Sequence, residues 1–337
     1  MKTLKFVLSI LFFSFLFSPS WGETVTIDDL VRNPSDGLFY KKFTDVPFTG
    51  EVTGELTGRF VEGKEDGLIK YYYPNGILMG KGNYDNGVEN GRSEGYFENG
   101  LLKKVGYWEN GKVVLNPPQE EFEYHSNSKL MKKTITFLKE NIRFKEVEEY
   151  WINGSLKKKE RYKDSRKDGL WEKYFINGNL ESKEHYKNGR KDGMWVVFFD
   201  NGQLKEKVNY KDGKEDGPRV WFYKNGQLFD KTTFKDGKYD GPVETYYQNG
   251  QLSYKGNYKD NKGIGLFVSY YENGQLYYQE NYNNGKADGI YLEYYENGKL
   301  KSKVNFKNDK KDGTEFFYLE DGTLEKTETY KDGKIVN

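Results

Sequence analysis

The sequence contains no cysteine and only two histidines, His125 and His185, in 337 residues. Without cysteine there is no disulfide framework and no lipid-attachment site, so the fold must be held by packing. Two histidines 60 residues apart cannot alone supply the usual metal or general-base sets. No excess of one charge is present either, since 53 basic residues balance 52 acidic ones. We therefore expect no catalytic residues, no cofactor and no metal.

Long hydrophobic runs are also scarce, and the main one lies at the N-terminus. Residues 6–17 are apolar, Lys2 and Lys5 precede them, and Ser20-Trp21-Gly22 follows. This order is typical of a signal peptide, and the run is too short to span a bilayer comfortably. We predict a signal peptide at residues 1–22 and an exported protein of the periplasm, the cell surface or the medium. The alternatives are an uncleaved anchor or a buried N-terminal helix.

A 24-residue period is the strongest signal that is present. Asn-Gly recurs at Asn153, Asn177, Asn201, Asn225, Asn249, Asn273 and Asn297, with Asp321-Gly322 in the same register and Asn75 and Asn99 upstream. A fixed period of this length is typical of a repeat array. Asn-Gly between apolar runs predicts a two-residue type I′ turn. We count eleven copies, one of them degraded, in which Asn127-Ser128 replaces Asn-Gly.

Each copy contains two strand-length segments rich in aromatic and branched residues, separated by Gly, Asp, Asn and Lys. We predict an all-β fold, an elongated repeat array of stacked antiparallel β-hairpins in a single-layer twisted meander sheet. Beyond the signal peptide, we predict an N-terminal lead-in or cap at 23–50, first repeats at 51–112, an irregular or degenerate repeat at 113–150 and regular repeats at 151–337. For the irregular part, a stretched repeat with a bulge or enlarged loop fits the pattern better than a short helix.

The turn length decides which side chains share a face, because side chains alternate along a strand. With a two-residue turn, the aromatic residue before it, the leucine after it and a later aromatic residue lie together, as in Phe175, Leu180 and Tyr186. Stacked from copy to copy, these residues form the predicted core. Such a ladder accounts for an aromatic fraction of 17% in so polar a chain.

The opposite face carries a second aromatic series among Lys and Asn residues. Its members are the candidate ligand-binding residues: Tyr174, Phe198, Phe222, Tyr246, Tyr270, Tyr294 and Tyr318. On an open sheet these rings could bind sugars, peptides or extended polymers. The alternative is that they cover strand backbone and interact only across strands, each contributing about 0.2–1 kcal/mol.

The motif Gly-x-x-x-x-Tyr-Tyr-x-Asn-Gly-x-Leu, followed by Tyr-Lys-Asp-Gly-Lys and Asp-Gly, resembles the bacterial variant of the MORN (membrane occupation and recognition nexus) repeat. Pro47-Phe48-Thr49-Gly50 resembles the usual opening of that family, so the resemblance covers about residues 37–337. The chain is also similar to YwqK-type antitoxins. The resemblance implies stacked β-hairpins in a curved sheet used for binding. Some relatives are thought to neutralise toxins, and others are exported proteins linked to contact with host cells.

We expect an exported, non-enzymatic binding protein that presents an extended β-sheet face to a protein or glycan partner, in cell-surface or host contact. Two alternatives stay open, an antitoxin-like immunity protein that occludes a toxin and a structural scaffold of the envelope. An acid pair for sugar hydrolysis is a weaker alternative, because carboxylates are abundant. Nucleic acid and membrane lipid are not expected as partners, since charges balance and no polybasic run occurs. The oligomeric state is left open.

Overall fold

The computed structural model describes residues 22–336, so the predicted signal peptide lies almost entirely outside the described residues. The chain divides into two compact units, one ending at Gln119 and the other beginning at Glu120. Both consist of β-strands and turns, apart from a 3-10 turn at Ile27–Asp29. The predicted all-β array of stacked antiparallel hairpins is confirmed. Within residues 22–336, no helix has the length and apolar character needed to cross a membrane.

The first unit is a meander with an added N-terminal strand. Its strands are β1 (Glu23–Thr26), β2 (Leu30–Arg32), β3 (Phe39–Lys41), β4 (Gly50–Thr53), β5 (Leu56–Val61), β6 (Lys64–Tyr72), β7 (Leu78–Asp85), β8 (Val88–Glu89), β9 (Gly91–Tyr96), β10 (Leu102–Glu109) and β11 (Lys112–Val114). Strand β1 pairs parallel with β4, while β4 to β7 pair antiparallel in chain order. Phe60 and Ile69, both 0% exposed, lie in a hydrophobic core with Val25, Phe48 and Val52.

The second unit repeats a long strand, a two-residue strand and a six-residue strand. Its strands are β12 (Gln119–Tyr124, beginning at the boundary), β13 (Leu130–Lys139), β14 (Ile142–Tyr150), β15 (Leu156–Lys163), β16 (Arg166–Lys167), β17 (Gly169–Tyr174), β18 (Leu180–Lys187), β19 (Arg190–Lys191), β20 (Gly193–Phe198), β21 (Leu204–Lys211), β22 (Lys214–Glu215), β23 (Gly217–Phe222), β24 (Leu228–Lys235), β25 (Lys238–Tyr246), β26 (Leu252–Lys259), β27 (Lys262–Gly263), β28 (Gly265–Tyr270), β29 (Leu276–Asn283), β30 (Lys286–Ala287), β31 (Gly289–Tyr294), β32 (Leu300–Lys307), β33 (Lys310–Lys311), β34 (Gly313–Tyr318), β35 (Leu324–Lys331) and β36 (Lys334–Ile335). In β25 the last two types merge. Neighbouring strands pair antiparallel in chain order.

The stretch predicted to be irregular contains β12 to β14. Strands β13 and β14 form a hairpin of eight consecutive residue pairs. Its two-residue turn is Glu140-Asn141, with φ values of 53° and 62°. The added residues here lengthen the strands and leave the alternation of side chains intact.

The Asn-Gly turn is longer than predicted. Around Asn177, the Phe175 N–H donates to the Asn179 carbonyl and the Gly178 N–H donates to the Phe175 carbonyl, both at 2.9 Å. These bonds close a three-residue loop in which Gly178 has a φ of 89° and Asn177 does not have a positive φ. A type I turn followed by a left-handed glycine is common in such loops. The prediction of a two-residue type I′ turn at this dipeptide was therefore wrong.

The two-residue type I′ turn lies instead in the polar linker. Asn188 and Gly189 have φ values of 49° and 85°, and the flanking Lys187 and Arg190 are directly paired. Equivalent turns occur at Asp212-Gly213, Asp236-Gly237, Asp260-Asn261, Asn284-Gly285, Asn308-Asp309 and Asp332-Gly333. Asn and Asp tolerate the left-handed conformation better than other side chains, which explains their recurrence at the first turn position.

The longer loop changes which side chains share a face. Beside each loop the two strands shift register by a β-bulge, so that Tyr174 is paired directly with Leu180. Because directly paired residues lie on the same face, Leu180 shares a face with Tyr174 and not with Tyr186. The same pairing recurs in the later copies. The prediction that the leucine joins Phe175 and Tyr186 was wrong.

The asparagine of each Asn-Gly turn also links its copy to the next. The Asn249 Oδ1 accepts the Gln251 N–H at 2.9 Å, and its Nδ2 donates to the Glu272 carbonyl of the following copy at 3.2 Å. Equivalent inter-copy bonds run from Asn127 to Asn297. Only an amide can accept and donate in this way, because a carboxylate lacks the donor.

Replacing Gly213 with alanine should destabilise the second unit by about 1 kcal/mol, because its φ of 88° strains any side chain. The matched control is Gly95→Ala. Gly95 has no positive φ, and a Cβ there meets no atom within 4 Å, so its replacement should be neutral or slightly stabilising. Urea denaturation of both variants measures the difference. Equal losses at the two sites would contradict the turn assignment.

Candidate functional site

One face of the second unit carries its most tightly packed side chains. Trp171 is paired with Glu184, and Ser182 and Tyr186 lie two residues to either side of Glu184 on the same face. We call this the ladder face; it includes the residues that follow at 24-residue intervals. Trp171 is 5% exposed, and Val208, at the position of Glu184 one copy later, is 2% exposed. The core of these repeats therefore lies on the ladder face.

Aromatic rings form a row along the ladder face. Ring centroids are 5.1 Å apart for Tyr162 and Trp171, and 5.4 Å apart for Trp171 and Tyr186. The row continues to Trp195 at 6.4 Å and to Tyr210 at a further 5.4 Å. Such pairs are worth about 0.5–1.5 kcal/mol each beyond their buried area. The prediction that the later aromatic residue of each copy belongs to the core is confirmed.

Buried carboxylates on this face are hydrogen-bonded by tyrosines. The Tyr162 hydroxyl donates to Glu160 Oε2 at 3.0 Å, and the Tyr186 hydroxyl donates to Glu184 Oε2 at 2.9 Å. Burial, reinforced by the Glu160 carboxylate, raises the pKa of Tyr162 to about 12. These phenols therefore remain protonated donors at neutral pH. Among residues 22–336, no group of three His, Cys, Asp or Glu side chains is arranged to hold a metal ion.

Three cavities of the ladder face follow one another between residues 230 and 317. The first, about 600 Å³, is lined by Asp230, Thr232, Tyr239, Val243, Tyr258 and Asn261. The second, about 580 Å³, shares Tyr258 and Asn261 and adds Tyr254, Phe267, Tyr282 and Asp309. The third, about 340 Å³, is lined by Tyr291, Val304, Phe306, Lys311, Glu315 and Phe317. We call this row the ladder groove; it combines aromatic walls with a few polar groups, as ligand sites usually do.

The candidate residues from the sequence lie on the opposite face, which we call the tyrosine–leucine face. Tyr174 is paired with Leu180, and its hydroxyl donates to Glu172 Oε2 at 3.2 Å. Glu172 in turn forms an ion pair with Lys183 at 3.6 Å. The structure brings the whole series into one half-buried row: Tyr174, Phe198, Phe222, Tyr246, Tyr270, Tyr294 and Tyr318. None of these residues lines the ladder groove.

The backbone of the same series connects neighbouring copies. The Tyr247 hydroxyl donates to the Tyr270 carbonyl at 2.7 Å, and the Tyr271 hydroxyl donates to the Tyr294 carbonyl at 2.9 Å. The donors are the aromatic residues that precede the Asn-Gly turn. They thus bind the copies together beside the asparagine bonds and do not face the leucine, as had been predicted.

The groove residues were missed because they depart from the repeat. The position of Ser182 is acidic in the next two copies and becomes tyrosine at Tyr254 and Tyr278. The position of Lys191 becomes Gly263 and, one copy later, alanine. Attention to what recurs selected the tyrosine–leucine face. A comparison of how each position varies from copy to copy is the signal that could have found the groove.

Consecutive antiparallel hairpins of one length, packed on one face and linked by the same bonds from copy to copy, define a β-repeat scaffold. The chain belongs to the family of the MORN repeat variant, which matches residues 65–86, 167–188, 191–212, 215–236, 239–260, 264–284, 287–308 and 311–332. Most matches end on the first residue of a type I′ turn. The family unit is therefore the segment between two such turns. The copies at Asn99, Asn127 and Asn153 lie outside the eight matches.

No curated protein matches the sequence. Among solved structures, one match is a chain of a structure titled "Crystal Structure of TcdB2-TccC3-TEV", with 12% sequence identity and a TM-score of 0.23. The alignment covers 87% of this chain and 16% of that chain. This chain thus corresponds to a small part of the other protein, and a TM-score this low carries no argument about function.

Proposed function

We propose that the chain is a non-enzymatic binding protein that holds an elongated protein or glycan partner along the ladder groove. The observation that supports this most directly is the row of three cavities on one face. Because they follow the repeat, they suit a partner that is itself extended. Membership of the MORN repeat variant family supports repeat-mediated binding in general. Near-equal numbers of basic and acidic residues give no support to nucleic acid or lipid as the partner.

The tyrosine–leucine face is the competing surface, and two matched sets of substitutions separate it from the groove. A displayed decapeptide library and an array of oligosaccharides serve as probes. We expect Tyr254→Ser with Tyr278→Ser to weaken any specific binder at least tenfold. The triple variant Tyr246→Ser, Tyr270→Ser and Tyr294→Ser should retain it.

Far-ultraviolet circular dichroism is the folding control for both sets. The reverse pattern, with loss only in the triple variant, would move the binding surface to the tyrosine–leucine face. A chain that enriches no peptide or sugar from either probe set would argue against a binding function.

We also propose that the protein is exported, from the basic start, the apolar residues 6–17 and the small residues before position 23. Fractionation of the producing cells, with N-terminal sequencing of the purified protein, tests this directly. The expected result is a mature chain that begins near residue 23 and is found outside the cytoplasm. An intact N-terminus on a cytoplasmic protein would contradict export.

A further inference from the structure

In two copies the ladder face places a lysine of its own over an aromatic pair. The Lys191 Nζ lies 3.2 Å from the centre of the Trp195 ring and 4.6 Å from that of Tyr210. Lys167 lies over the equivalent pair of its copy at 4.0 and 4.7 Å. An ammonium group over a ring face is attracted by the ring quadrupole. These copies therefore fill the space above the rings with the chain itself.

Three copies after Lys191 the lysine is missing, although the aromatic pair is kept. The same position is Gly263, and in the following copy it is Ala287. The pair beside Gly263 is Phe267 and Tyr282, with ring centroids 4.8 Å apart. The cavity of about 580 Å³ lies against this pair. The space that a lysine fills elsewhere is open here.

The carboxylates that accompany the lysine are missing as well. Burial lowers the pKa of Lys191, and the charges of Glu184 and Glu206 act against that change. Three copies later, these two positions are Gly256 and Tyr278. A cation in the open cavity would therefore lack the two carboxylates that support the internal ammonium group. An uncharged ligand meets no such cost.

The charged groups around the open cavity are engaged or face water. The Asp309 Oδ1 accepts a backbone N–H at 2.7 Å, and the Glu280 Oε2 accepts the Tyr282 hydroxyl at 2.8 Å. Lys262 and Lys286 also line the cavity but are exposed. The rings therefore supply most of the surface on which a ligand would lie.

Tyrosine hydroxyls along the same part of the groove are poorly used within the chain. The Tyr254 hydroxyl is 3.4 Å from that of Tyr258, a weak contact. The hydroxyls of Tyr278 and Tyr291 have no hydrogen-bond partner within residues 22–336. Burial raises the pKa of Tyr278 and Tyr291, so both remain neutral and can donate and accept.

We propose that this part of the ladder groove binds the sugar rings of an uncharged glycan chain. The inference rests on the proposed function and names its ligand class. The faces of Phe267 and Tyr282 would pack against the apolar face of a sugar ring, and the unused hydroxyls would bond its hydroxyls. The competing ligand is a lysine-rich peptide, whose ammonium groups would repeat the contact of Lys191.

Closing the cavity with lysine tests the inference, because Lys191 shows that this side chain fills the equivalent space. The variants are Ala287→Lys and Gly263→Lys; the second is tighter, since a Cβ there lies 3.0 Å from the Phe267 ring. Asn283→Lys adds the same charge at an exposed strand end and is the control. The probes are hydroxyethylcellulose, galactomannan and laminarin in affinity electrophoresis, with fluorescent pentalysine as the cationic competitor.

Retardation by at least one neutral polysaccharide, weakened at least tenfold in both cavity variants and kept in Asn283→Lys, is the expected result. Tyr278→Phe should weaken the same binding several-fold by removing one hydroxyl. Pentalysine binding that is lost in the cavity variants, without polysaccharide binding, would overturn the glycan inference and leave the groove as a binding site. Binding that is indifferent to both lysines would overturn the groove itself, and no retardation by any of the three would overturn the glycan inference.

Discussion

Replacing Trp171 with alanine should lower the local free energy of unfolding of the surrounding copies by about 3–5 kcal/mol. The side chain is 5% exposed and contacts Tyr162 and Tyr186. Its Nε1 donates to the Arg161 carbonyl at 2.9 Å, and loss of this bond leaves a buried carbonyl without that donor. Because each copy contacts mainly its neighbours, the loss should be confined to β15–β20. Native-state hydrogen exchange resolves this region from the rest.

Trp151→Ala is the matched control for that experiment. Trp151 is half-buried beside an Asn-Gly loop, and its Nε1 donates to the Tyr174 carbonyl at 3.2 Å. It lies outside the ring row of the ladder face, so we expect a smaller loss of about 1–2 kcal/mol. Equal losses for the two tryptophans would mean that the ladder face is not the core.

The triple variant Asn225→Asp, Asn249→Asp and Asn273→Asp should destabilise the second unit by about 3 kcal/mol at neutral pH, about 1 kcal/mol for each bond. Each substitution keeps the acceptor for the turn but removes the donor to the next copy. It also places a negative carboxylate beside a carbonyl oxygen. Urea denaturation at neutral pH measures the loss.

Two observations check the cause of that loss. Asp321→Asn should be nearly neutral, because Asp321 accepts the Thr323 N–H at 2.7 Å and forms no inter-copy bond among the described residues. The triple variant should also recover part of its stability below about pH 4, where a protonated aspartate regains a donor. A loss unchanged at low pH would place the defect in the turns and not in the bonds between copies.

The strands and their repetition were predictable because alternation and turn residues are local properties. The turn types were not, since Asn177-Gly178 and Asn188-Gly189 are the same dipeptide with different backbone angles. What separates them is the hydrogen bonding of the flanking residues, which a dipeptide does not reveal. That one error moved Leu180 to the wrong face and left Tyr186 on the right one.

The groove was beyond a reading based on recurrence. It depends on two substitutions within the repeat, tyrosine at residue 254 and glycine at residue 263, and on the ring of Phe267 turning toward them. Gly256 permits that position, because a Cβ on it would overlap the Phe267 ring. Such an arrangement needs three strands in register, and only the folded chain shows it.

The bonds from Asn153 through Asn297 all run from one copy to the following one between equivalent atoms. A recombination event that deletes or duplicates 24 residues would therefore rejoin the same donors to the same acceptors. A change of one residue would turn every side chain between two bulges to the opposite face. Genes for such chains can thus change length by whole copies without loss of folding, and binding can diversify at individual copies such as the one around Gly263.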